Sequence, residues 1–321
     1  MDCFYPIKVP RYVGCNIIQN GIKLRSRRQN GFIQVPCGRC PACRRRKQNE
    51  WAFRILEEAK VNKTVAFITL TYDDEHLIFS DSGIPTLFPD HCTTFLKNLR
   101  YDLEYLHDDK TISFRYFLCG EYGDQFDRPH YHMILFYNGD LPSSEIEHFV
   151  KSRWIHGFSL YEPGISPGRA KYCAKYSMKS VGFDYLDCVP PFARMSRRPG
   201  IGKSFLSSID FEQFRQRDLW HVYDHKGTPY ALPRYYKEMI YSRDECDEHS
   251  LLLSRLKDLK FDSLYIEDSS TFKFLDDKIK YSEHLFIKHL KKENYGFRYK
   301  EFKPKFINRT NNYDIQPSTD F

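Results

Sequence analysis

The chain has 321 residues, 41% of them hydrophobic, with a net charge of +7 and ten cysteines. That length allows one large domain or two modest ones with real cores. No apolar run approaches the roughly 18 residues of a membrane span, the opening MDCFYPIKVPRYVG lacks the pattern of a secretory leader, and ten thiols without a leader argue against a secreted disulfide scaffold.

The expected compartment is therefore cytosolic, with thiols reduced and free to bind metal. The positive charge leans towards polyanionic partners. The 26 Phe and 23 Tyr fill core and also offer surfaces on which bases stack.

Taken in chain order, the first chemistry-bearing stretch is CGRCPAC, which sets Cys37, Cys40 and Cys43 at equal spacing. Three thiols in a turn-rich loop can converge on one ion, and a structural Zn²⁺ wants a fourth ligand from elsewhere. Cys3 and Cys15 are the nearest candidates, and Cys3 is preferred. Lys47 stands where a ferredoxin-like run would place its next cysteine, so the iron–sulfur alternative is incomplete. Unliganded thiols are the third reading. Arg44, Arg45, Arg46 and Lys47 follow, and Trp51, Ile55 and Ala59 mark one face of an amphipathic helix. Charge runs are usually solvated faces. Beside RSRR at 25–28, however, this block makes the first 60 residues a candidate contact region for backbone phosphates.

VAFITLTY (65–72) alternates and is β-branched, which predicts a strand ending in the acidic turn DDE. From Pro89, the spacing of Phe95, Leu99 and Leu103 predicts a helix with Asp90 as N-cap. ISFRYFLCGEYG (112–123) predicts a second strand, and RPHYHMILF (128–136) a third that follows it hairpin fashion. Strand side chains alternate faces, so His130 and His132 point the same way. Neutral imidazole is the commonest metal ligand, although an isolated His-x-His is more often a hydrogen-bonded structural pair.

A short helix over SSEIEHFVKSRW, a strand at GFSLYE and a helix over RAKYCAKYSMKSV (169–181) complete the pattern. The predicted class is α+β, a mostly antiparallel central sheet flanked by helices, behind an N-terminal Cys-rich, metal-stabilised segment. On the last helix Tyr172, Tyr176 and Lys179 share a face. Such tyrosine pairs are more often core, but a core face would not normally include Lys179 or be flanked by Lys171 and Lys175. PGIGKS (199–204) falls short of a phosphate-binding loop, because the pattern needs glycine at 197 and finds arginine; no ATPase is expected. Arg197, Arg198 and Lys203 read instead as backbone-phosphate contacts, with an ordinary basic turn as the alternative. Beyond 240, HSLLLSRLKDL and SEHLFIKHLKK have helical spacing in a charged tail whose role the sequence leaves open.

FITLTY, GEYGDQFDRPHYHMILF and YCAKYSMKS, in that order, resemble the three motifs of HUH endonucleases that initiate rolling-circle replication. With CGRCPAC, MSRRPGIGKSF (195–205) and LPRYYKE (232–238), the chain is most similar to gokushovirus replication initiators, from single-stranded DNA phages of the microvirus group. The likeness covers residues 1–240 and implies three parts: the Cys-rich basic segment 1–60, an HUH-type domain over 61–240, and a partly helical tail over 241–321. It also implies that His130 and His132 hold Mg²⁺ or Mn²⁺, and that a tyrosine cuts one DNA strand.

Glu121, before the His strand, is the candidate third ligand, and zinc at this site stays open. Lys179, with Lys175, would stabilise charge on the phosphate or assist proton transfer. Tyr176 is expected to be the better placed phenol because Lys179 lies one turn beyond it. The implied partners are single- and double-stranded phage origin DNA and host replication proteins (helicase, polymerase) in the cytoplasm of the bacterial host. No membrane partner is expected. Two rivals stand beside this reading: another HUH enzyme such as a relaxase or transposase, and a non-catalytic zinc-dependent DNA-binding regulator.

Overall fold

The computed structural model describes residues 7–19, 22–105, 112–123, 127–176, 187–224, 227–253 and 255, with backbone alone at 8, 11–19, 22–30 and 176. It opens with a long antiparallel hairpin, β1 (Ile7–Gln19) and β2 (Ile22–Val35), paired from Ile7↔Val35 to Gln19↔Ile22. The charged residues of RSRR interrupt any two-residue apolar period here, so sequence reading found no strand. The cysteine loop follows and runs straight into α1 (Pro41–Ala59), with Cys40 at the N-cap and Pro41 at the first helical position, where a missing N–H costs nothing.

β3 (Thr64–Tyr72), α2 (Pro89–Arg100), β4 (Phe114–Tyr122), β5 (Pro129–Tyr137), α3 (Ser143–Arg153), β6 (Gly157–Pro163), α4 (Pro167–Tyr176) and β7 (Phe192–Met195) form the main body. Its sheet has the order β6-β3-β5-β4-β7, and every pairing is antiparallel. The expected α+β class and the predicted strands are present; β7 was not foreseen. Asp90 is not the N-cap of α2: Phe88 holds that position and Pro89 follows it, so Asp90 sits in the first turn, where its charge complements the helix dipole. Leu103 lies beyond α2 in a π-helical turn, Tyr101–Tyr105. A smaller part follows, with α5 (Ser204–Ser207), α6 (Phe211–Gln216), the hairpin of β8 (His221–Tyr223) and β9 (Pro229–Ala231), α7 (Arg234–Ile240) and a helix over 243–253. Residues 256–321, including SEHLFIKHLKK, lie outside the described residues.

Helices pack on both faces of the sheet. Ile68, Leu70, Leu118, Tyr131, Met133 and Leu135 face α2 and α3 through Phe95, Leu99, Ile146 and Val150. Phe67, Phe117, Ile134 and Phe136 face Ala52 and Ile55 of α1 and Ala170 and Cys173 of α4. Because alternate residues serve different cores, a one-residue slip would exchange the two sets, and the register is strongly fixed.

The PGIGKS turn is clamped onto α1 rather than shaped for phosphate. Gly202 has φ +76°, and a Cβ there would lie 2.6 Å from Tyr236 Oη and 2.7 Å from the Arg54 carbonyl oxygen. Its N–H donates to Glu58 Oε2 at 2.7 Å, while Glu58 Oε1 accepts from Arg115 Nε. Glu58 is buried and Arg115 half-buried. Removing Glu58 strands the buried Gly202 N–H and breaks the pair with Arg115, so Glu58→Ala should destabilise the fold by about 1–3 kcal/mol; denaturant unfolding with an unchanged m-value checks this. Among the described residues no helix is long and apolar enough to cross a membrane.

Candidate active site

The register of three neighbouring strands builds the site. Glu121 on β4 stands opposite His130 on β5, which stands opposite Thr71 on β3; Cys119, His132 and Thr69 form the adjoining row. Directly opposed residues share a face, so Glu121, His130 and His132 converge. His130 Nε2 lies 2.9 Å and His132 Nε2 3.0 Å from the same carboxylate oxygen, Glu121 Oε1. From above, Tyr172 of α4 donates its hydroxyl to that oxygen at 3.0 Å. Ala170, Cys173 and Ala174 bury the opposite side of α4, leaving Tyr172 at the rim, 40% exposed.

Each histidine is held from behind. His130 Nδ1 is 3.0 Å from the Arg128 carbonyl, which only accepts, so Nδ1 carries a hydrogen and Nε2 is the ring atom set against Glu121. His132 Nδ1 is 3.1 Å from Thr69 Oγ1, and the ring stacks on Phe67 at 5.4 Å between centroids. Burial alone would raise the Glu121 carboxyl, but the two imidazoles against it outweigh that and hold it at about 2. Two imidazole nitrogens and an ionised carboxylate, Glu121 and His132 buried and His130 half-buried, lie within 4.8 Å of one another and form a donor set that a cation satisfies. The mixed nitrogen–oxygen character suits a divalent cation.

Sequence reading picked all three of these residues and Tyr172. It missed Thr69, Phe67 and the Arg128 carbonyl, the supports that orient the imidazoles. The alternation of β3 contains the signal, but only the β3–β5 register turns it into contacts. The backbone of Tyr176 ends α4; its side chain and Lys179 lie outside the described residues.

The cysteine loop makes a second donor set. Cys37, Cys40 and Cys43 bring their sulfurs within 4.8 Å of one another, with Cys37 and Cys43 Sγ 3.9 Å apart. Two thiolates at about 2.3 Å from a tetrahedral zinc sit about 3.8 Å apart, so the spacing fits zinc and is far from a disulfide. The Cys40 N–H donates to Cys37 Sγ at 3.3 Å, a contact that steadies a thiolate ligand. Cys3 lies outside the described residues, and Cys15 lies on β1 opposite Ser26.

The basic residues fall in two places. Gln48 Nε2 of α1 donates to the Lys171 carbonyl at 2.8 Å, one residue before Tyr172. The turn carrying Arg44, Arg45 and Arg46 directly precedes that contact, and Lys175 is exposed on α4. Arg44 Nε donates to the Arg39 carbonyl at 2.9 Å, and burial lowers its guanidinium pKa. Arg197, Arg198 and Lys203 sit elsewhere, in a groove of about 990 Å³ lined also by Arg100, Arg115 and Arg194. Arg115 lies six residues before Glu121 on β4, about 20 Å away along the strand at about 3.4 Å per residue.

Residues 65–181 match the replication-associated protein ORF2 family. Replication-associated protein ORF2 of Spiroplasma virus 4 is 32% identical over 278 residues, covering 78% of this chain and 83% of its own. The chain belongs to this family of phage replication-associated proteins. Replication-associated protein VP4 of Bdellovibrio phage phiMH2K is 27% identical, covering 74% of this chain and 76% of its own. Replication-associated protein ORF4 of Chlamydia phage 1 is 29% identical, covering 64% and 53%. No solved structure matches the chain. In this replication-associated protein the family match spans β3 to α4, and so includes Glu121, His130, His132 and Tyr172, while the cysteine loop and residues 194–203 of the groove lie outside it.

Proposed function

We propose that this replication-associated protein nicks and rejoins one strand of phage origin DNA. The chemistry is metal-dependent tyrosine transesterification through a 5′-phosphotyrosine during rolling-circle replication, with 61–240 as the HUH-type domain. The observation that carries the reading is the meeting of Tyr172, His130 and His132 at one oxygen of Glu121. Glu121, His130 and His132 would hold Mg²⁺ or Mn²⁺, which when bound offsets charge on the scissile phosphate and orients it.

Tyr172 donates its hydroxyl to Glu121, so the phenol oxygen is fixed beside the metal ligands with its lone pairs turned outward. As that oxygen bonds to phosphorus its phenolic proton is released to solvent, the P–O3′ bond breaks, and the departing 3′ oxygen takes up a proton from solvent. Lys175 and Lys179, further along the same chain segment, neutralise the phosphate. The phosphotyrosine keeps the energy of the broken ester, so attack by a 3′ hydroxyl reseals the strand without ATP. The cysteine loop holds a structural Zn²⁺. The DNA is the single- and double-stranded phage origin, met in the host cytoplasm together with host helicase and polymerase.

His132→Ala should abolish cleavage of single-stranded origin DNA in Mn²⁺ while leaving DNA binding largely intact. Full metal-dependent cleavage by a His130→Ala/His132→Ala variant would contradict the reading. Retention of DNA on a gel by wild type, with no covalent adduct, would favour a zinc-dependent regulator.

A further inference from the structure

The sheet face that carries the triad is covered over only part of its width. α1 and α4 pack on Phe67, Ile134 and Phe117. The two rows nearest the triad run on to the edge strand β6. One reads Glu121, His130, Thr71, Phe158; the other reads Cys119, His132, Thr69, Leu160. Phe158 and Leu160 therefore share the triad's face, yet they are 70% and 57% exposed. The opposite face of β6 is spent on the other core, where Tyr161 is 7% exposed.

Single apolar side chains on a surface are ordinary. Here two alternate along one strand, point the same way and continue the rows that hold the metal ligands. Two strand spacings separate Phe158 from His130, about 10 Å, a short step along a single strand of DNA. Thr71 Oγ1 donates to the Phe158 carbonyl at 3.4 Å, tying the platform strand to its neighbour. At the end of the Phe67 row, the Arg169 guanidinium lies 5.6 Å over the Phe67 ring and pairs with Glu162 of β6, so that end of the face is closed by an ion pair while Phe158 and Leu160 stay open.

We propose that Phe158, with Leu160 beside it, is a stacking platform for an unpaired base next to the scissile phosphate. The single strand then crosses β6 and β3 to reach Tyr172. This deepens the nicking reading and rests on it, naming the ligand of the open half of the face as a nucleobase in single-stranded DNA. An aromatic ring flanked by an aliphatic chain accepts any base, so the contact positions the strand without choosing its sequence.

The test uses the full chain without added Mg²⁺ or Mn²⁺, so that no strand is cut. Two probes of equal length are used: an oligothymidylate and an abasic deoxyribose–phosphate oligomer. Phe158→Ala should bind the oligothymidylate roughly ten-fold more weakly, the loss expected for one stacked base. Leu160→Ala should lose less, Phe158→Trp should bind as wild type, and affinity for the abasic oligomer should not change in any variant. Equal loss on both probes, or none on either, overturns the platform and leaves the nicking reading standing if wild type still forms its DNA adduct. A change of oligomeric state in Phe158→Ala with unaltered DNA binding also overturns it, marking the patch as a protein contact. Failure of wild type to bind the oligothymidylate at all overturns both.

Discussion

Replacing Tyr172 and Tyr176 together by phenylalanine is expected to eliminate covalent attachment to origin DNA, a loss of roughly 10⁴-fold or more, as follows removal of a covalent nucleophile. Each single variant should keep part of the first nicking. Four residues of helix separate the two Cα atoms by about 6 Å along the axis, so under the proposed reading the two positions are close enough to serve one scissile phosphate in turn. In an alternating scheme one tyrosine nicks and stays joined to the 5′ phosphate. The other attacks the regenerated origin, and the released 3′ hydroxyl closes the circle. Tyr172 is the phenol seen at Glu121, and it is 40% exposed, so losing its hydroxyl should leave folding intact. An adduct stable to denaturant, quantified on labelled DNA for wild type, both single variants and the double variant, measures the effect. Circular dichroism confirms that each variant is folded.

Cys40→Ser should be the most damaging single change to stability. Cys40 is fully buried and stands at the N-cap position of α1 without a side-chain capping bond. Structural zinc contributes about 10–16 kcal/mol of binding free energy to small zinc modules, and binding and local folding are one event. Losing one thiolate should therefore release the metal and cost several kcal/mol. The damage should spread to activity, because α1 carries Ala52 and Ile55 into the core under the triad and holds the backbone of α4 through Gln48. Elemental analysis of wild type should find about one zinc per chain, and the variant should lack it and melt well below wild type. Iron with visible absorbance would favour a cluster instead, and wild type without either metal would contradict both.

The core of the site was legible because two short periods locate it. Alternation put His130 and His132 on one face of β5, and helical spacing put Tyr172 on one face of its helix with Tyr176 and Lys179. Glu121 needed only a hairpin between adjacent strands. What stayed hidden depends on pairing between distant segments. Thr69 looked like an ordinary strand threonine until β3 was set beside β5, and Phe158 and Leu160 read as the apolar half of a routine strand because sequence cannot say which side of an edge strand lies open. The groove takes Arg100, Arg115 and Arg194 from three separate elements, so no run of charge announces it. The β1–β2 hairpin was obscured by its arginines, although Asn20-Gly21 between the strands is a strong turn signal.

Peptide mapping of the covalent product formed by wild-type protein on single-stranded origin DNA, with and without Mn²⁺, tests the central claim most directly. The account predicts DNA linked through a 5′ phosphate to the peptide carrying Tyr172 and Tyr176, formed only when the metal is present. DNA bound without any covalent peptide, or linked to a residue outside this helix, would contradict it.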